Sequence, residues 1–120
     1  NKILNEFAKE IAFNHQKDLP VEFETNNIKQ LNAKLNKLNF KLNIPPRIAN
    51  FLELKGGRYC SVDNRIAAQL KYKSQQKKTL TCYIFKKEEQ FNFDKKILND
   101  NVSVQIWSSD ELIYALAGDI

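Results

Sequence analysis

The segment from Gly56 to Lys73 constrains the fold most strongly, because it has the pattern of two strands joined by a tight turn. Asp63-Asn64 predicts the turn, since Asp and Asn tolerate left-handed backbone angles and bond to nearby backbone groups. Side chains then alternate with a period of two, with Ile66, Ala68, Leu70 and Tyr72 on one side and Ala67, Gln69, Lys71 and Lys73 on the other. This period is typical of a half-buried antiparallel strand. We predict a three-strand meander whose third strand runs from Thr79 to Phe85.

Further strands are predicted on both sides of this meander. Alternating apolar residues predict strands at 39–44, 102–107 and 112–117, and Pro45-Pro46 ends the first of these. Residues 51–60 lead into the meander. The segment from Lys86 to Asn101 is mostly polar, so we predict a long connection there with a helical turn near 94–99.

Two amphipathic helices are predicted in the first third of the chain. Apolar residues at helical spacing predict a helix over 2–14, ended by Leu19-Pro20, with His15 just past its last turn. A second helix follows, capped by Thr25 or Asn26, with its apolar face at Ile28, Leu31, Leu35 and Leu38. Because each alternating strand offers one apolar face that needs a cover, the expected fold is α+β: an antiparallel sheet of five or six strands with two helices packed on one face.

Length and charge limit the class of protein. The chain has 120 residues, which predicts a single domain over 1–120. No apolar run approaches the roughly 20 residues that a membrane helix needs. The net charge of +5 indicates either a solvated basic surface or an anionic partner. Because the chain starts at Asn and contains no Met, we expect it to be part of a longer protein whose upstream part is missing.

The residues indicate no catalytic or metal chemistry. His15 is the sole histidine, and Cys60 and Cys82 fit no zinc spacing, so we expect no enzyme activity, no metal site and no cofactor. The meander pairs Cys60 with Ala67 and Cys82 with Gln69, which places both thiols on one face but on the two strands that flank 66–73. Two strand spacings are roughly 9–10 Å, beyond the reach of a disulfide, so both thiols should be free.

The glycine pair Gly56-Gly57 has two interpretations. It could cradle a phosphate, but no helix start with a following Lys-Ser pair is present. A bulge or bend at a sheet edge is the interpretation we favour.

Taken in order, several segments resemble the extracytoplasmic domain of bacterial transmembrane anti-sigma factors, the predicted transmembrane transcriptional regulators. The matching segments are Ile11 to Leu19, with its histidine; Asn27 to Pro46, a helix followed by a short strand and prolines; Leu54 to Tyr59, with Gly-Gly-Arg; Ile66 to Tyr72, with Ala-Ala; Leu80 to Phe85; Val104 to Trp107; and Ile113 to Asp119.

This resemblance implies a non-catalytic sensory and interaction domain of a membrane-bound transcriptional regulator of the anti-sigma type. The domain would lie on the periplasmic, extracytoplasmic face of the bacterial inner membrane and bind a protein partner in the cell envelope. A sigma factor would be bound only by the missing upstream domain, and the membrane by a missing upstream helix. No small-molecule substrate is expected.

An alternative function is a soluble basic module that binds single-stranded nucleic acid. Such a module would stack bases on strand aromatics among lysines, and the candidates are Tyr59, Tyr72, Tyr83, Phe85 and Trp107. For a partner contact of either kind, bulky or cationic groups near predicted strand ends are the candidates: Arg58, Tyr59 and Trp107.

Overall fold

The computed structural model describes residues 2–48, 50–88 and 92–119, and within them two helices and seven strands form an α+β fold. The helices are α1 (Lys2–Lys17) and α2 (Ile28–Lys34). The strands are β1 (Phe23–Glu24), β2 (Glu53–Val62), β3 (Arg65–Lys73), β4 (Thr79–Lys86), β5 (Asp94–Asn99), β6 (Val102–Ser108) and β7 (Leu112–Asp119). All seven form one antiparallel sheet in the order β1-β2-β3-β4-β7-β6-β5.

The predicted α+β class is confirmed, but the strand count of five or six is too low. The strand predicted at 39–44 does not form. Strand β1 is a further short strand, and β5 forms in the segment predicted as a connection with a helical turn near 94–99. Residues 39–44 lie over the sheet as irregular chain instead, with Leu42 buried. Their alternation of apolar and polar residues therefore reflects contact with the sheet rather than pairing within it.

The helices cover opposite faces of the sheet, so the prediction that both pack on one face is wrong. Leu4, Phe7 and Ile11 of α1 pack on a core with Tyr83 and Phe85. The opposite face carries a second core that includes Leu31 of α2 and the residues Leu35, Leu42 and Ile48, packed on Leu70, Ile84 and Tyr114. We call the irregular chain over this second face, residues 36–48, the strap.

Local capping explains where the helices begin and end. Helix α1 continues three residues beyond the predicted end at residue 14 and stops where Asp18 adopts a left-handed conformation (φ 47°). His15 therefore lies inside the last turn rather than past it. The cap of α2 is Asn27 rather than Thr25 or Asn26, and its Oδ1 accepts hydrogen bonds from the amides of Lys29 and Gln30.

The central hairpin forms in the predicted register. Asp63 (φ 53°) and Asn64 (φ 61°) make the two-residue turn, and Cys60 pairs with Ala67. The next register is one residue away from the prediction, because Cys82 pairs with Leu70 and not with Gln69. Since a slip of one residue turns a side chain to the other face of the sheet, Cys82 packs in the strap-side core, whereas Cys60 packs against the α1 side.

The glycine pair forms the predicted bulge. The register of β2 against β3 shifts between Leu54 and Gly56, and Gly56 has φ 152°. A side chain there would clash, since a Cβ atom would lie 2.3 Å from the carbonyl oxygen of Phe23. Glycine is therefore what allows β1 to pair with Gly56 and Gly57.

Candidate protein-interaction edge

The three residues predicted as a contact site do not come together. Arg58 points to the α1 side of the sheet, where its Nη1 donates to the carbonyl of Pro20 at 2.9 Å. Tyr59 points to the strap side, and its hydroxyl accepts a hydrogen bond of 2.9 Å from the amide of Lys37. Both side chains therefore hold connecting segments against the sheet.

Trp107 lies under a contact that joins the strap to β5. It is only 8% exposed and stacks on Tyr114, with the ring centroids 5.6 Å apart. The Arg47 guanidinium also lies over the Trp107 ring, with its central carbon 4.2 Å from the ring centroid. Four strand spacings, roughly 19 Å, separate the strands of Trp107 and Tyr59. Trp107 therefore supports a contact within the fold and is not exposed to bind a partner.

Arg47 also holds the first residue of β5. Its Nη1 and Nη2 donate to the two carboxylate oxygens of Asp94 at 3.1 and 2.7 Å. The hydrogen bond with Arg47 lowers the pKa of Asp94, and the same hydrogen bond raises the pKa of Arg47. We call Arg47, Asp94 and Trp107 the strap clamp. It fixes the start of β5 relative to the sheet.

Strand β5 is one edge of the sheet. The residue pair at its start shows which β5 residues turn their backbone N–H and C=O groups toward β6. The amide of Ser108 donates to the carbonyl of Phe93 at 3.0 Å. In an antiparallel pair such bonds recur at every second residue, so Lys95, Ile97 and Asn99 face β6 with their backbone groups. The N–H and C=O groups of the alternate residues, Asp94, Lys96 and Leu98, therefore point away from the sheet.

The side chains along this edge combine charge with exposed apolar surface. Lys95 and Lys96 are exposed, and Leu98 is 63% exposed. Ile97 is half-buried against the α1-side core. We call residues 94–99, with their outward backbone groups, the β5 edge. It presents three donors and three acceptors in a row, which is the arrangement that an added strand can complete.

The opposite edge of the sheet offers much less. Strand β1 has two residues, and the side chain of Phe23 packs into the strap-side core. A row of two residues is among the devices that limit pairing at an edge. Among the described residues, β5 is therefore the long open edge.

One sequence signal for β5 is the dipeptide that follows it. Asp100-Asn101 is the same dipeptide as Asp63-Asn64, and it forms the two-residue connection between Asn99 and Val102, with Asp100 at φ 54°. The Lys-Lys pair in β5 and its lack of apolar-polar alternation made this strand hard to predict. An exposed edge strand has no buried face to impose a period of two.

Other candidate groups lie wholly or partly inside the fold. The Nδ1 atom of His15 lies 2.8 Å from the Thr81 hydroxyl oxygen, and the side chain is largely buried beneath α1. Burial raises the pKa of Cys60 and of Cys82 to about 12, and both thiols are free as predicted. Tyr83 and Phe85, two proposed stacking residues, are fully buried. They cannot stack on bases in this conformation.

Neither a metal-ligand group nor a membrane-spanning helix occurs in the described ranges, 2–48, 50–88 and 92–119. They contain no group of three His, Cys, Asp or Glu side chains that could hold a metal ion. No helix within them has the length and apolar character needed to cross a bilayer. No family model, no curated protein and no solved structure matches the chain.

Proposed function

We propose that this chain is a non-catalytic protein-interaction domain, and that it is the extracytoplasmic sensory part of a membrane-bound transcriptional regulator of the anti-sigma type. The β5 edge supports the first part of this proposal. The second part is supported by the order of segments that resembles such regulators, from Ile11 to Asp119. The partner would be a protein of the cell envelope.

The β5 edge is suited to a protein partner because the contact is made by backbone. An extended segment can pair with the outward N–H and C=O groups of Asp94, Lys96 and Leu98, and its side chains then add specificity. The strap clamp supports this edge, since Arg47 fixes the Asp94 end before any partner arrives. A preformed edge avoids part of the ordering cost of binding.

A nucleic-acid function has less support from the described residues. Of the five aromatics considered, Tyr72, Tyr83 and Phe85 are at most 1% exposed and Trp107 is 8% exposed. A salt titration with single-stranded DNA and RNA tests it directly, because phosphate contacts make affinity fall steeply with salt. Measurable binding at low salt that disappears in the Lys95→Glu/Lys96→Glu variant would replace our proposal with this one.

The interaction function can be tested in the full-length protein in its native host. A photocrosslinking amino acid is placed at position 98, and a control is placed at Phe51, which is 71% exposed near the start of β2. We expect one envelope protein to be crosslinked from position 98 and not from position 51. The same crosslink, formed from position 96, should be lost in Leu98→Pro. Equal crosslinking from positions 98 and 51 would contradict the proposal.

The regulatory part needs a separate test. We expect the reading frame upstream of Asn1 to encode an apolar span of about 20 residues, preceded by a His/Cys cluster. A start codon immediately before Asn1 would rule out this part and leave the interaction function standing.

A further inference from the structure

We infer that the β5 edge selects an acidic extended segment, paired antiparallel, in which two apolar residues are followed by two acidic residues. This inference rests on the proposed function, since it names the chemistry of the partner at the same edge. The pattern follows from the side chains that a new strand would meet along β5, which are charged at Lys95 and Lys96 and apolar at Ile97 and Leu98.

The β5 edge carries positive charge at two adjacent exposed residues. Lys95 and Lys96 are adjacent in an extended strand, so their side chains lie on opposite faces of the sheet. Among the described residues neither lysine has an ion-pair partner, and the nearby Asp94 is already bound to Arg47. An added strand with acidic residues at the two opposing positions would meet one lysine on each face. Opposite charges directly across a strand pair stabilise the pair, and like charges destabilise it.

Directly after the two lysines, the β5 edge has one apolar residue on each face of the sheet. Leu98 is 63% exposed and points to the strap side of the sheet, whereas Ile97 is half-buried on the α1 side. Two consecutive apolar residues in the added strand would therefore cover one apolar side chain on each face. A segment with this pattern matches both faces of the edge in a single register.

A second copy of this chain fits the edge poorly. Self-pairing that uses all three outward residues must place Lys96 opposite Lys96 of the other copy, because Lys96 is the middle one of the three. Lysines on an edge are a common protection against such association. The same lysines that oppose a basic copy attract an acidic segment, and the chain as a whole carries +5.

The antiparallel direction follows from the ladder geometry. Antiparallel pairs are slightly more stable per residue than parallel ones. Read from its N-terminus, an antiparallel partner meets Leu98 first, then Ile97, Lys96 and Lys95. This order gives the apolar-apolar-acid-acid pattern, and a parallel partner would need the reverse.

The test is an amide-resolved NMR titration of the isotopically labelled chain with blocked hexapeptides. The first peptide is Thr-Val-Val-Glu-Glu-Thr, the second has the reverse order, and the third replaces both Glu by Lys. We expect the first to bind about tenfold more tightly than the third, from two charge pairs changing sign. Binding should slow hydrogen exchange at the amides of Lys96 and Leu98. Tighter binding of the reverse-order peptide would overturn the direction, and equal binding of the Glu and Lys peptides would overturn the charge selection.

Two variants keep the result independent of folding problems. Lys95→Glu/Lys96→Glu changes only exposed side chains and should invert the preference, so that the Lys peptide binds more tightly. Leu98→Pro removes one outward N–H and should weaken the Glu peptide about tenfold or more. Binding that is unchanged in both variants would overturn the inference.

The two proposals fail in different ways. If none of the peptides binds at millimolar concentration, the acidic partner is ruled out, whereas a crosslink from position 98 that depends on the edge would still support an interaction function. If the peptides bind as expected but no crosslink forms in the cell, the edge chemistry stands and the proposed function fails.

Discussion

Proline substitutions at the adjacent positions 97 and 98 should have very different effects on stability. The backbone N–H of Ile97 faces β6, where Val104 is its partner, whereas the N–H of Leu98 points away from the sheet. Proline removes the N–H at either position and fixes φ near the same value. The two variants therefore differ mainly in whether an internal hydrogen bond is lost.

The expected difference can be worked out from burial. Val104 is fully buried, so Ile97→Pro leaves the Val104 carbonyl without a hydrogen-bond donor, at a cost of about 1–3 kcal/mol. The loss of the half-buried Ile97 side chain adds about 1 kcal/mol. Leu98→Pro loses no ladder bond, and its side chain is 63% exposed, so we expect a change within about 1 kcal/mol. The midpoints of these ranges give a difference of about 2–3 kcal/mol between the two variants.

Urea and thermal unfolding followed by the fluorescence of Trp107 measure this difference. For 120 residues an unfolding entropy of about 0.25 kcal/mol/K makes each kcal/mol equal to about 4 °C. The melting temperature of Ile97→Pro should thus lie about 8–12 °C below that of Leu98→Pro. Ile97→Ala and Leu98→Ala correct for the lost side chains. Equal melting temperatures, or the reverse order, would refute our assignment of which β5 backbone groups face β6. The outward N–H groups of the β5 edge would then be refuted as well.

Three further predictions concern the bulge, the thiols and the strap. Gly56→Ala should destabilise by at least about 1–3 kcal/mol in urea unfolding, because φ is 152°, and an effect no larger than that of Gly118→Ala would contradict this. Cys82 is fully buried and should react with a thiol reagent only after denaturation, whereas Cys60 is only partly buried. Because the pKa of both thiols is about 12 when folded and about 8.5 when unfolded, the folded state holds more protons and stability should fall as pH rises from about 9 to 12. A slope in this range that is unchanged in Cys82→Ala would argue against it. Arg47→Ala removes a cation–π contact worth about 0.5–1 kcal/mol, so it should speed cleavage of the strap by the protease Lys-C. An unchanged cleavage rate would show that the strap clamp does not hold the strap.

The central hairpin could be predicted to the residue, whereas the next hairpin could not. The turn at Asp63-Asn64 has only two residues, so its chemistry fixes the register of β2 on β3. The connection from β3 to β4 has five residues, closed by a bond from the Ser74 amide to the Lys78 carbonyl, with Lys77 at φ 65°. Nothing in Lys77 signals a left-handed residue, and the slip of one residue moved Cys82 to the other face.

The candidate site was missed for a related reason. Arg58, Tyr59 and Trp107 were selected as bulky or cationic groups near strand ends, but each holds a neighbouring segment in the folded chain. The exposed groups of the β5 edge are backbone atoms, and their direction depends on pairing with β6. The pattern of apolar and polar side chains predicts which residues are buried. It does not predict which backbone N–H and C=O groups are left unpaired at an edge of the sheet.

The sequence by itself determined the α+β class, the meander, the two helices and the bulge at Gly56, because each depends on contacts within a few residues or on one period of alternation. Only the tertiary structure decided which face each helix covers, that residues 39–44 lie on the sheet rather than in it, and that β5 is an edge. An amphipathic helix needs an apolar surface but does not specify which one, and both faces of the central strands β3 and β4 are apolar. The choice is made by chain connectivity and by the packing of both cores together.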